Sequence, residues 1–306
     1  MLRRLFAGFA LCCAWAASAA VLNVEFKFTP YTGDPAGETV EAVAGTARVF
    51  LNEVPVIEQE VRRQTLPVMF EAREIGPAVW LPAASLGAGL RKGDNRLRIE
   101  FEPADAALAY AAQLRWAAVT DQVTEHSADG RYSATNQADE GVETKNGSGR
   151  LVFERTFGAD FATDRPWHHY PPVSALDDAD RAAIAALLKA RADAFKPPFA
   201  GVYTLLQARE GIRVADVRKF KCLDKAYAAG VRVLAPTAKD IEFVTVGQPE
   251  VMLQRAGGHL FAPDPKPFER IRGSEMQFCA GVALAAAYPA RLAVVRTPQG
   301  AWEVVY

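Results

Sequence analysis

The sequence predicts an α+β protein with two domains, an antiparallel β-sandwich followed by a domain in which helices pack on a curved antiparallel sheet. Three observations lead to this prediction. Apolar and polar residues alternate with a period of two from residue 21 to about 120, helical patterns occupy residues 173 to 229, and the period of two returns from Asp240. Because helices and strands are segregated along the chain, an α+β arrangement is favoured over an alternating α/β one.

The first 20 residues have the layout of a secretory signal. Arg3 and Arg4 precede an apolar run over residues 5–17, which ends in the small residues 17–19. This run is too short to span a bilayer as a helix, and no later segment approaches the required length. We therefore expect cleavage near residue 20 and a secreted, periplasmic mature protein without a transmembrane segment. Lipid attachment at Cys12 or Cys13 is the alternative.

The charge balance excludes one class of partner. The chain has 35 basic and 36 acidic residues, for a net charge of −1, and no window concentrates Lys and Arg. Nucleic-acid binding depends on a basic face that contacts phosphates. We therefore expect no nucleic-acid partner.

Residues 21–120 are predicted to form the sandwich. The segments VLNVEFKF (residues 21–28) and RLRIEF (96–101) place apolar side chains on one face of a strand and polar side chains on the other. Clusters of Gly, Pro and Asp separate such segments. Short alternating strands divided by turn residues are typical of antiparallel sandwiches.

Three segments of this region carry a family resemblance. VFLNEVPV (residues 49–56), LPVMFEA (66–72) and LRKGDNRLRIEFEP (90–103) occur in that order. In the third, Gly93 can adopt a positive φ, and Asp94 or Asn95 can bond the local backbone before the strand begins. The series resembles the jelly-roll domains of the galactose-binding type, which are often attached to secreted enzymes. The resemblance implies a jelly-roll-like sandwich, and no sugar-binding residue of that family can be transferred to this chain.

Residues 121–172 are predicted to be a polar linker. Apolar residues nearly vanish from 121 to 150, so this stretch cannot bury enough surface to offset its ordering entropy. One short strand follows at residues 151–157, and then RPWHHYPP (165–172). Neighbouring side chains of an extended segment point to opposite sides, so His168 and His169 are not expected to share a metal ion. We predict an interdomain hinge, with Trp167 and Tyr170 buried and both histidines on its surface.

Residues 173–306 are predicted to be the α+β domain. A helix should begin near Ser174, whose side chain forms a capping box with Asp177, and a second should cover about 213–229 and end at Gly230. Strands are predicted at 241–246, 251–255, 259–261, 275–285, 290–295 and 301–306. This element order and the closing hairpin resemble the ketosteroid-isomerase-like or nuclear-transport-factor-like cone. The resemblance implies a conical pocket between helices and sheet, which relatives use for catalysis or only for binding.

The candidate ligand-binding residues are polar side chains that such a pocket would contain. In the isomerase relatives, a tyrosine and carboxylates stabilise an oxyanion and move a proton, although no residue here matches a family motif position by position. The candidates are Tyr203, Asp224 and Tyr227 on the helical side, with Gln254, Glu275 and Gln277 on strands.

No sequence motif of catalysis is present. The chain lacks a nucleophile elbow, an HExxH pair, a phosphate loop and a dinucleotide fingerprint. We therefore predict an exported binding or accessory protein without catalytic residues, metal or cofactor, which recognises a small molecule, a glycan or an envelope protein. The alternative is a pocket enzyme of the hydrolase, lyase or isomerase type that uses Asp or Glu with Tyr in the C-terminal domain.

Two cysteines remain after the signal segment. In an oxidising compartment, Cys222 and Cys279 are expected to form a disulfide. Closing a loop of this length would destabilise the unfolded chain by about 4 kcal/mol. Two buried thiols that behave as small apolar side chains are the alternative.

Overall fold

The computed structural model describes residues 21–69, 73–126, 132–209, 211–255, 258–261 and 266–306. The predicted signal segment, residues 1–20, lies outside these ranges. The described residues form an α+β fold rich in antiparallel sheet, which confirms the predicted fold class.

The N-terminal domain consists almost entirely of strands. In chain order its elements are β1 (Val21–Thr32), β2 (Thr39–Ala42), β3 (Gly45–Leu51), β4 (Val54–Val61), β5 (Thr65–Met69), β6 (Glu74–Ile75), β7 (Val79–Pro82), the short helix α1 (Ala83–Leu86), β8 (Asp94–Pro103), β9 (Tyr110–His126), β10 (Tyr132–Gly147) and β11 (Leu151–Gly158).

These strands form two antiparallel sheets that pack face to face. One sheet has the order β10-β9-β1-β2-β5-β6, with β7 also paired to β1, and the other has the order β11-β8-β3-β4. Phe28 of β1 meets Phe101 of β8 and Phe153 of β11, with ring centroids 5.8 Å and 5.6 Å apart. All three rings are fully buried. The alternating pattern therefore identified the inward face of these strands correctly.

The predicted linker is replaced by strands. Strands β9 and β10 pair from Tyr110↔Gly147 to His126↔Tyr132, so the polar stretch forms most of a long hairpin. Strand β11 pairs with β8, which extends the sandwich to Gly158 instead of 120. Composition misled the prediction because backbone hydrogen bonds to a neighbouring strand need no apolar side chain, and an antiparallel sheet tolerates polar residues on a solvated face.

The C-terminal domain combines helices with a four-stranded antiparallel sheet of order β12-β13-β14-β15. Its elements are α2 (Asp178–Asp193), α3 (Ala200–Gln207), α4 (Val214–Phe220), α5 (Cys222–Ala228), β12 (Ile241–Thr245), β13 (Glu250–Arg255), α6 (Ser274–Ala287), β14 (Leu292–Arg296) and β15 (Trp302–Val304). Single 3₁₀ turns lie at Gly87–Gly89, Pro166–His169 and Lys266–Arg270.

The helices differ from the sequence prediction in two places. Helix α2 begins later than expected, because the Asp177 side chain accepts a hydrogen bond from the Asp180 N–H at 2.8 Å and takes the capping role assigned to Ser174. The predicted helix over 213–229 is divided into α4 and α5 at Lys221, whose left-handed φ of 53° changes the chain direction.

The largest error concerns residues 275–285, which were predicted as a strand and form helix α6. The residues that α6 buries are Ala280, Ala283, Leu284 and Ala287. Their spacing of three and four residues is that of one helix face. The prediction failed because a run of small apolar residues also satisfies a period of two over short distances.

The two domains share a buried interface. Val54 of β4 packs against Met252 of β13 and Ala293 of β14, and all three side chains are buried. His168 is also buried and its Nε2 lies 3.0 Å from the Ala88 carbonyl oxygen, whereas His169 is exposed. The prediction of surface positions is therefore wrong for His168. Among the described residues, no helix is long and apolar enough to cross a membrane.

Candidate functional site

An open apolar groove of about 300 Å³ lies between α4 and α6. Three of its large apolar side chains face solvent: Phe278 is 74% exposed, Phe220 45% and Val282 38%. Ile212 and Met276 also line the groove. Clustered exposed apolar side chains of this kind mark interaction sites on soluble proteins.

Helix α6 presents two apolar faces, and this is why the groove exists. Its buried face packs against α3 and α5, as well as against α4 at one side. Phe278 and Val282 are four residues apart, so they lie together on the opposite face of the helix. The core therefore cannot cover them.

A disulfide fixes the helices that support the groove. Cys222 at the start of α5 is bonded to Cys279 of α6, with their Cα atoms 5.9 Å apart. This bond confirms the predicted pair. Cys222 is fully buried, and Cys279 lines the groove beside Phe278.

Charged groups are confined to the rim of the groove. Arg213 Nε lies 2.9 Å from Asp216 Oδ2 in an exposed pair. Glu275 is exposed in the first turn of α6. Exposed ion pairs contribute little energy, so the apolar side chains are the main source of interaction energy that this groove offers.

Of the six predicted site residues, Glu275 alone lines this groove, and it does so from a helix instead of a strand. Gln277 is also on α6, where its Nε2 donates to the Ile271 carbonyl oxygen at 3.0 Å. Gln254 is on β13, as predicted, and its side chain bonds Glu242 and Arg291 at 2.9 Å and 3.1 Å.

The helical candidates are held in other environments. Tyr203 is buried on α3 beneath the Arg218 guanidinium, 4.5 Å from the ring centroid. Burial raises the pKa of Tyr203, and the charge of the exposed Asp224 raises it further. Tyr227 packs edge-on against aromatic rings of the core. The structure thus places Tyr203 near Asp224 and does not gather the six residues into one pocket.

Apolar side chains pack between helix α2 and the sheet of the C-terminal domain. Side chains of α2 such as Ile184 and Leu188 join Val251 and Leu253 of β13 in one core cluster, and each is fully buried. Helix α2 is therefore packed on the sheet through apolar side chains.

A second depression, of about 480 Å³, lies at one end of the sandwich where β1, β9 and β10 terminate. It is bordered largely by small residues and backbone, including Gly33 and Gly147. Its two tyrosines, Tyr31 and Tyr110, are 4% and 5% exposed. Although this depression is larger, its lining is less apolar than that of the groove and both of its aromatic rings are buried, so we favour the groove between α4 and α6.

Comparison of the chain with protein-family models, curated proteins and solved structures finds no match. Within the described ranges, no group of three or more His, Cys, Asp or Glu residues is placed to hold a metal ion. The groove is therefore interpreted from its own side chains.

Sequence reasoning missed Phe278 and Phe220. A usable signal was present for Phe278, because a helical assignment of residues 274–287 places it opposite the four buried positions of α6. Phe220 gave no comparable signal, since it is the last residue of α4 and the single helix predicted over 213–229 does not indicate an end at this position.

Proposed function

We propose that this chain is an exported binding protein that holds an apolar helical segment of a protein partner in the groove between α4 and α6, without catalysis. The observation that supports this proposal is the 74% exposure of Phe278 on a helix whose other face is buried. Fully burying a phenylalanine side chain contributes roughly 1.5–3 kcal/mol. A partner that covers Phe278 therefore gains a contribution of this size to the binding free energy from one side chain.

The shape of the groove favours a protein segment over a small molecule or a glycan. Its volume is at the lower end of the range of roughly 300–1,000 Å³ for small-molecule pockets, and such pockets enclose most of their ligand. An open apolar groove with charged rims instead suits an amphipathic helix that inserts residues at helical spacing. A glycan carries many hydroxyl groups, and the mostly apolar lining of the groove offers few hydrogen-bond partners for them.

Export is proposed from two features. The Cys222–Cys279 bond is of a kind that persists in oxidising compartments. The signal-like composition of residues 1–20 points to the same compartment. We propose secretion to the periplasm, where an envelope protein would be the partner.

Site-specific crosslinking in the exporting cell tests the proposal. A photoreactive benzoylphenylalanine replaces Phe278 in one variant and Leu234 in the control, since Leu234 is 64% exposed and outside the groove. We expect a crosslinked partner from position 278 alone. Mass spectrometry of the adduct should place the crosslink in an apolar helical segment, and Val282→Glu should abolish it.

Three results would overturn the proposal. Equal crosslinking from positions 278 and 234 would show that the groove is not a specific binding site. Crosslinking to a second copy of this chain would replace partner binding by self-association. Turnover in a hydrolase and isomerase substrate screen that is lost in an Asp224→Asn variant with unchanged thermal unfolding would favour the enzyme alternative.

A further inference from the structure

The connection between the two domains is anchored at both of its ends. The Ala159 N–H donates to the Gly93 carbonyl oxygen of the sandwich at 2.9 Å, and the Val173 N–H donates to the Gln248 carbonyl oxygen of the C-terminal domain at 2.9 Å. Residues 160–172 therefore carry the chain from one domain to the other. His168 lies within this connecting segment, in the 3₁₀ turn Pro166–His169.

Four consecutive residues of the sandwich, 88–91, contact both the connecting segment and the C-terminal domain. Their contacts are Ala88 with His168, Gly89 with the Tyr306 hydroxyl, and Arg91 with Gln248 and Glu250. We call residues 88–91 the latch segment. The Ala88 carbonyl oxygen lies 3.0 Å from His168 Nε2. The connecting segment and the C-terminal domain are thus both fixed to the same short stretch.

The hydrogen bonds of His168 require a neutral ring. Its Nε2 faces the Ala88 carbonyl oxygen, which only accepts, so Nε2 carries the proton. Its Nδ1 accepts from the Arg165 backbone N–H at 3.4 Å and is therefore unprotonated. A second proton, on Nδ1, would replace this bond by a contact between two N–H groups. Because the side chain is only 2% exposed, the new charge would also be desolvated.

The carboxylates that face the His168 ring are engaged elsewhere. Asp164 Oδ1 lies 3.8 Å from Nδ1, but the Asp164 side chain is 54% exposed and both of its oxygens lie 3.0 Å from His169 Nε2. Glu250 is paired with Arg91, whose own charge repels an imidazolium. Among the described neighbours of the ring, neither carboxylate is therefore free to neutralise a proton on His168.

The other ionisable groups around the ring do not stabilise its charged form. Arg165 and Lys92 are cations that flank His168 and Asp164. The Tyr306 phenol stays neutral because burial raises its pKa. Burial lowers the pKa of His168, although the Ala88 carbonyl oxygen and the two carboxylates oppose this shift. The ring is therefore neutral in the closed arrangement at neutral pH.

We propose that His168 makes the latch segment an acid-released contact between the two domains. In acidic medium, Nδ1 takes up a proton from water, the ring leaves its buried position, and the bond to Ala88 breaks. The domains can then move relative to one another about residues 160–172. No covalent bond changes other than the one to the added proton. This device is separate from the groove between α4 and α6 and does not rest on the proposed partner binding.

Energy transfer between the domains tests the proposal on the mature chain. Donor and acceptor dyes are attached at Arg62→Cys in the sandwich and Lys189→Cys in α2, whose native side chains are 82% and 70% exposed. Transfer is measured from about pH 8 to about pH 5, and circular dichroism confirms that both domains remain folded. Because opening takes up one proton, the ratio of closed to open molecules should fall about tenfold per pH unit between the ordinary histidine pKa of about 6.5 and the lower pKa of the buried ring.

Two variants assign the response to His168. In His168→Gln, the side-chain amide can still donate to the Ala88 carbonyl oxygen and does not titrate, so the domains should stay closed over the whole pH range. His169→Gln is the matched control, because His169 is the exposed neighbour in the same turn, and it should keep the native response. If His168→Gln fails to fold, the ring C–H resonances of the four histidines decide in the native chain. The His168 resonance must then shift with the same midpoint as the energy transfer.

Three results would overturn the proposal. A pH response that persists in His168→Gln would assign the release to another group, with Glu250 as the nearest buried carboxylate. A response that is lost in His169→Gln would assign it to the exposed pair of His169 with Asp164. Unchanged energy transfer while the His168 resonance titrates would show that protonation does not separate the domains.

Discussion

The ion pair between Arg91 and Glu250 should be a principal link between the two domains. Glu250 of β13 is 1% exposed, and its Oε2 lies 3.1 Å from Arg91 Nη2. The same Nη2 donates to Gln248 Oε1 at 2.9 Å. Arg91 precedes β8 in the sandwich, so the contact crosses the interface. Replacing Arg91 by methionine keeps most of the apolar stem but leaves the Glu250 carboxylate buried without its cation.

The expected cost follows from the burial of the pair. Breaking a buried ion pair from one side costs about 3–5 kcal/mol. Because the Arg91 side chain is 24% exposed, water can reach part of the vacated space, and we expect the lower value of about 3 kcal/mol. At about 2 °C per kcal/mol for a chain of this size, Tm should fall by about 6 °C.

A double-mutant cycle measures this interaction. Urea unfolding is followed for Arg91→Met, Glu250→Gln and the double variant. Glutamine removes the buried charge, so the double variant should recover at least about 1 kcal/mol relative to the sum of the single changes. In calorimetry, Arg91→Met should also show two separate unfolding transitions, one for each domain. If Arg91→Met lowers the unfolding free energy by less than about 0.5 kcal/mol and the two single changes are additive, the pair does not couple the domains.

Three further outcomes are expected from the structure. Reducing the Cys222–Cys279 bond, whose loop spans 57 residues, should lower the unfolding free energy by about 4 kcal/mol, and an unchanged urea midpoint in dithiothreitol would contradict this. Gly45→Ala places a Cβ 2.3 Å from a backbone oxygen and should cost about 1–3 kcal/mol, whereas Gly158→Ala meets nothing within 4 Å and should have little effect on thermal unfolding. Burial lowers the pKa of His168, so its contribution to stability is present above the ordinary value of about 6.5 and lost as pH falls below it. Between pH 8 and pH 5, the free energy of unfolding of His168→Gln should therefore fall less than that of the native chain. Parallel curves of unfolding free energy against pH would show that His168 is not responsible.

The sandwich could be predicted because its strands bury one face. Phe26, Phe28, Ile99 and Phe101 alternate with polar residues and are all fully buried. This period depends only on the pleat of a strand. The disulfide was also predictable, since two cysteines remain after the predicted signal segment and the expected export would favour their pairing.

The polar hairpin and helix α6 could not be predicted from the alternation of apolar and polar residues. Residues 132–147 are strand because β9 offers a long row of backbone partners, and a partner is not visible in local composition. In α6, the small residues around Ala280 suit either element, and packing against α3 and α5 decides between them. Local pattern is least informative where tertiary contacts supply most of the stabilisation.

The candidate groove is harder still to predict, because it is assembled from segments that are distant in the sequence. It joins α4 to α6. No spacing rule connects Phe220 with Phe278. Their proximity follows from how the helices pack, which a sequence of small apolar residues leaves undetermined.

The packing of α6 also explains why the helix does not bury its exposed apolar face. Turning Phe278 inward would rotate Ala280 and Leu284 out of the core and would strain the bond from Cys279 to Cys222. Because α6 is held on one side by its buried face and at its middle by this bond, the helix cannot cover its own apolar surface. We propose that a partner helix covers this surface at the groove beside Phe278.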